Sequence, residues 1–139
     1  MSLRTKIFVA ERDYGRLINI LLYLEQFSDF ELVGSAQDID DLPSQLSDVI
    51  PDVILIDADG QHSESLAMVR SVKAAASASS VLFLCGHEPS ALEKILLAEA
   101  DGLFKRNLSI KDLPESIRRV HNKRKTAVSV SHLPLTKAG

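Results

Sequence analysis

A chain of 139 residues with 45% hydrophobic and 25% charged side chains describes one globular domain with room for a buried core. A net charge of −3 argues against a dedicated nucleic-acid binder, and Cys85, the single cysteine, excludes an internal disulfide and favours a reducing compartment. No signal peptide precedes the first apolar run, and no run approaches the ~20 residues of a membrane span, so a cytoplasmic protein is expected.

Lys6-Ile7-Phe8-Val9-Ala10 reads as a first buried strand, with Glu11-Arg12-Asp13 at its carboxyl end. A helix follows over about Tyr14–Gln26. Leu17, Ile20, Leu21 and Leu24 share its buried face, and Asp13 is its N-cap. Phe30–Ala36 alternates enough to be a strand nearer an edge. A short helix spans Ile39–Leu46, capped by Asp38, with Pro43 tolerated in its first turns. Val53–Ile56 is wholly apolar, framed by Pro51-Asp52 and Asp57, which suits a central parallel strand covered on both faces. Asp59-Gly60 opens a loop into a third helix over Glu64–Ala76, with Leu66, Val69 and Val72 inward. Val81–Leu84 is a fourth strand, ending at Cys85-Gly86-His87; a fourth helix spans Ser90–Glu99 and a fifth strand Gly102–Lys105. The last helix covers Ile110–Asn122, with Ile110, Leu113, Ile117 and Val120 inward and Ser109 with Asp112 as a capping-box variant.

Five strands alternating with five helices imply right-handed crossovers and a doubly wound parallel sheet. The expected class is α/β, flavodoxin-like (βα)5, with strand order 2-1-3-4-5. Residues 1–122 form the domain, and residues 123–139 read as a C-terminal linker or tail leading to an output domain. Lys123-Arg124-Lys125 would end the last helix and complement its dipole.

Ligands of an open α/β sheet bind outside the carboxyl ends of its strands. The expected order gathers Glu11, Arg12, Asp13, Asp57, Cys85, Gly86, Lys105 and Arg106 at that edge. Carboxylates from two strands and a cation from a third suit a divalent cation and a phosphoryl group, with Asp57 as the accepting nucleophile. The first strand–helix turn has no Gly-rich phosphate cradle, which speaks against a nucleotide or flavin site. His62, His87, His121 and His132 lack metal-ligand spacing.

Over about residues 5–122 the chain resembles a response-regulator receiver domain. The resemblance rests on Ile7–Glu11, Pro51–Asp57, Val81–His87 and Glu99–Arg106, in that order and spacing. It implies Asp57 as phosphoacceptor and an acidic pair at Glu11-Arg12, of which the second member would ligate Mg²⁺ directly. It also implies a hydroxyl residue at Cys85, a small residue at Gly86, a lysine at Arg106 and a switch aromatic at Leu103. Arg12, Cys85 and Leu103 depart from that pattern; Lys105 lies one place before the lysine position. A guanidinium cannot ligate a metal, so Arg12 is expected to pair with Asp57 in the cation's place. Asp13 is the substitute acid but is better placed as a cap. At most weak Mg²⁺ binding, through Glu11 and Asp57, is therefore expected, and no other cofactor.

The expected function is a non-enzymatic pseudo-receiver of a two-component-type system, acting by protein–protein interaction or dimerisation. The alternative is a receiver phosphorylated on Asp57 by a histidine kinase and controlling a DNA-binding output. The expected partners are a histidine kinase or another signalling protein. A second copy could meet the face of the fourth helix, fifth strand and fifth helix. Neither membrane nor direct nucleic-acid contact is expected of this domain.

Overall fold

The apolar runs all form strands, because each can be covered on both faces only inside a parallel sheet. In the computed structural model, which describes residues 3–38, 42–46, 48–57, 70–85, 100–105 and 109–131, these are β1 (Thr5–Ala10), β2 (Phe30–Ala36), β3 (Val53–Asp57), β4 (Ser80–Cys85) and β5 (Gly102–Lys105). All pairings are parallel and the order is β2-β1-β3-β4-β5, the expected flavodoxin-like arrangement. The described helices are α1 (Tyr14–Glu25), α2 (Leu42–Leu46), residues 70–75 as α3, and a C-terminal helix (Leu113–Ser131) entered through a 3-10 turn (Ile110–Asp112). The expected fourth helix, Ser90–Glu99, lies outside the described residues, as do residues 64–69 of the third.

The period-2 pleat divides the interior into two cores. Ile7, Val9, Val53, Leu55, Leu82, Leu84 and Phe104 face α1 and the C-terminal helix, meeting Leu17, Ile20, Leu24, Leu113, Ile117 and Val120. The alternate residues Phe8, Ala10, Ile54, Ile56 and Val81 pack against Leu42, Leu46 and Val72. Val53, Ile54, Leu55 and Ile56 are fully buried, which at about 1.5–3 kcal/mol per large apolar side chain makes β3 the spine of the domain.

The amino edge of the sheet is tied by carboxylates. Asp52 accepts the Lys6 N–H through its side chain at 2.8 Å, and its backbone exchanges bonds with Lys6 and Ser80. Asp101 Oδ2 accepts the Val81 N–H at 2.7 Å and an ion pair from Lys73 at 2.8 Å, so one side chain joins α3, β4 and β5. Gly102 then lets the C-terminal helix press onto β5: a Cβ there would lie 2.6 Å from Val120 Cγ1. The motif residues Asp52, Asp101 and Gly102 are thus structural.

Two expectations for the last helix are corrected. Ile110, expected inward, is 37% exposed, because the chain enters through a 3-10 turn capped by Ser109, whose hydroxyl accepts the Lys111 N–H at 3.2 Å. The helix also runs past Asn122 to Ser131, so Lys123–Lys125 lie inside it rather than at its end. The apolar period stops after Val120, and Asn122 and Lys123 are exposed. The backbone ladder needs no apolar face to continue, and Lys, Arg and Ala are good helix formers. Among the described residues no helix is long and apolar enough to cross a membrane.

Candidate functional site at the carboxyl edge

Register places the two site carboxylates together. Ala10 lies opposite Ile56, so Glu11 and Asp57, the next residues of adjacent strands, are neighbours. Both continue the odd-numbered positions that face α1, and both are buried, at 0% and 7% exposure. Asp13 caps α1 as expected: its Oδ1 accepts the Arg16 N–H at 2.9 Å, while its own N–H donates to Glu11 Oε2 at 3.0 Å. That cap fixes the first turn of α1 over the strand ends. From that turn Arg16 Nη1 reaches Asp57 Oδ2 at 3.4 Å and Glu11 Oε1 at 3.9 Å.

Arg16 was not among the residues singled out from the sequence. Its signal was available: it stands three residues after the cap, in the turn that a capped helix places over the carboxyl edge. Arg12 is exposed, and its carbonyl accepts from Gln37 Nε2 at 3.1 Å. Among the described residues, the guanidinium within hydrogen-bond reach of Asp57 is that of Arg16.

Burial pushes the Glu11 carboxyl up to about 7, and a hydrogen bond to Asp57 and the Asp57 charge push the same way; the Asp13 N–H and Arg16 oppose them. Glu11 Oε1 is buried with no hydrogen-bond donor among the described residues. The two facts agree. When both carboxyls are ionised, Oε1 has among the described residues a guanidinium at 3.9 Å and no donor in hydrogen-bond reach, whereas a proton on Glu11 gives it a bond that Asp57 accepts. Glu11 thus keeps its proton up to near neutrality, beside the Asp57 carboxylate.

The remaining expected site residues divide. Cys85 lies opposite Lys105 in the β4–β5 register, at the same edge as Asp57. Leu103 and Lys105, both half-buried, occupy the strand positions alternate to Phe104 and so face away from α1, opposite to the acid pair. Gly86 and Arg106 lie outside the described residues.

Mg²⁺ demands an octahedron of oxygens. Among the described residues no group of three or more His, Cys, Asp or Glu converges, and Asp13 is committed to its cap. Arg16 holds the oxygens that a bridging cation would use. Oε1 gains a partner by taking up a proton, and Mg²⁺, which needs only one or two protein carboxylates, would compete with Arg16 for the same oxygens.

No family model matches the chain, and no curated protein matches it in sequence. Solved structures do. The response-regulator domain of Thermotoga maritima CheB superposes with a TM-score of 0.73 at 17% identity, over 86% of this chain and 97% of that one. The receiver domain of Salmonella enterica serovar Typhimurium RcsB gives 0.75 at 18% identity, over 86% and 89%. A LuxR-family DNA-binding response regulator from Staphylococcus aureus gives 0.74 at 17% identity, over 85% and 99%. The fold is that of CheY-like receiver domains, as the resemblance in sequence implied.

Proposed function

We propose that the chain is a pseudo-receiver: a signalling domain of two-component type that acts by protein–protein interaction or dimerisation, with Mg²⁺-dependent phosphorylation of Asp57 impaired. The observation that carries this reading is the Arg16 guanidinium standing against a buried Glu11–Asp57 pair. A cation that cannot leave its chain neutralises the carboxylates and blocks the approach of a metal. The same contact holds the Asp57 oxygen that would attack phosphorus, and a nucleophile engaged in an ion pair reacts slowly. In this reading the domain is not an enzyme, works in the cytoplasm, and meets a histidine kinase or another signalling protein through its surface.

The test is to incubate the protein with acetyl phosphate and Mg²⁺ and weigh it intact. No mass gain is expected. A gain of one phosphoryl group on wild type, absent in Asp57→Asn, would overturn the reading. The second reading is a conventional phosphoacceptor controlling a DNA-binding output. Asp57 at the end of the central strand favours it, as does likeness to RcsB, which was solved on promoter DNA with a phosphomimetic. The same experiment separates the two.

A further inference from the structure

The acid pair uses one corner of Arg16. Nη1 makes both contacts, and among the described residues Nε and Nη2 have no protein partner; the side chain is 47% exposed. The same side chain lines a cavity of about 320 Å³ on the α1 face of the sheet. Leu84 and Phe104 supply the adjacent strand positions, Ile20 and Leu113 come from the helices that flank them, and Asn19 stands one turn after Arg16 on α1. These four apolar side chains are at most 7% exposed, so the floor of this half-open cavity is made of core side chains. Ile110, left partly exposed by the 3-10 turn, belongs to its lining.

The chemistry of the lining selects an occupant. Among the described lining residues, two polar side chains on one helical turn stand with apolar ones, the pattern of a site for a small amphipathic molecule. The volume is at the lower end of ligand sites, which limits the apolar body to a ring or two. The charged group must be an anion, because guanidinium stays protonated and offers a flat pair of donors that match a carboxylate. A single negative charge is favoured over a dianion such as phosphate, because Glu11 and Asp57 lie on the other side of the same guanidinium.

We propose that this cavity binds a small organic carboxylate with a ring-sized apolar body, the carboxylate held by Arg16 and Asn19 and the body lying against Ile20, Leu84 and Phe104. Arg16 then serves two acids at once, and the ligand competes with Glu11 and Asp57 for it. Occupancy therefore reports to the site that the receiver fold uses for signalling. Binding itself requires nothing of Asp57 chemistry, so its failure and the failure of the pseudo-receiver reading are separate results.

The test is a titration of the uniformly ¹⁵N-labelled full chain with cinnamate, and in parallel with the neutral cinnamamide. Saturable shifts are expected at the amides of Asn19, Ile20, Leu84 and Phe104, and at Asp13, whose N–H donates to Glu11. Cinnamamide should bind about tenfold or more weakly, the worth of a charge-assisted bond. Arg16→Gln should weaken cinnamate by a similar factor and leave cinnamamide unchanged; its spectrum shows directly that it folds. The proposal is overturned by shifts that do not saturate or are scattered over the surface. Equal affinity for acid and amide in the wild type overturns it as well, whether or not the variant folds.

Discussion

The two edges of the sheet both carry buried or half-buried carboxylates, and they treat them in opposite ways. At the amino edge, donors converge: Asp101 Oδ2 takes an N–H and an ammonium at 2.7 and 2.8 Å, and Asp52 Oδ2 takes an N–H at 2.8 Å. At the carboxyl edge, Glu11 and Asp57 are pressed together; among the described residues one oxygen of Glu11 lacks a donor, and the Arg16 guanidinium stands at 3.4 and 3.9 Å. A buried carboxylate with matched donors strengthens a fold; one without them costs stability unless it takes up a proton. The first edge therefore holds the strands together, and the second keeps a titratable group in reserve. That cost is borne at a strand end, where open α/β sheets bind ligands, which makes this edge the candidate site.

The sharpest way to break this contrast is Asp101→Ala. It leaves the Val81 N–H without its acceptor and Lys73 without its partner, and should lower stability by about 3 kcal/mol. The urea midpoint should fall with an unchanged m-value, and Asp101→Asn should recover part of the loss. A midpoint equal to that of the wild type would remove the distinction between the edges.

Glu11→Gln should act in the other direction. The folded-state carboxyl titrates near 7 rather than 4.5, so the folded chain binds more protons than the unfolded chain between those values. Stability then falls as pH rises from 4.5 to about 7 and is level above it. The variant has no such slope. It should match the wild type near pH 5 and exceed it at pH 8 by on the order of 2 kcal/mol, the linkage expected of a shift this large in a fully buried group. Urea midpoints at the two pH values decide the matter, and a sloping variant or a flat wild type refutes it.

Arg16→Gln is the smallest perturbation. An ion pair with one half-exposed partner contributes about 1 kcal/mol or less, so the midpoint should barely move. The Glu11 carboxyl ¹³C resonance should titrate at higher pH than in the wild type, because Arg16 opposes the upward shift. An unmoved titration would show that the guanidinium does not act on the pair.

The last helix shows where reading by periodicity stops. Leu113, Ile117 and Val120 were legible as an inward face because they pack on β4 and β5. Ile110 fits the same period yet is partly exposed, because a 3-10 turn does not keep the α-helical face. The helical stretch beyond Asn122 was missed because Lys123-Arg124-Lys125 was read as the helix end.

By itself the sequence determined the strands, their order and the strand-end position of Asp57. Apolar runs between turn residues can be covered on both faces only within a parallel sheet, and that information is local. It also pointed to an arginine beside Asp57 and chose Arg12. Only the tertiary structure decided which one: Arg16 rather than Arg12 meets Asp57, and Glu11 loses its solvent to become a proton-holding partner. Reach and burial depend on pleat parity, strand register and the angle of a capped helix. Those are set by neighbours in space, not by neighbours along the chain.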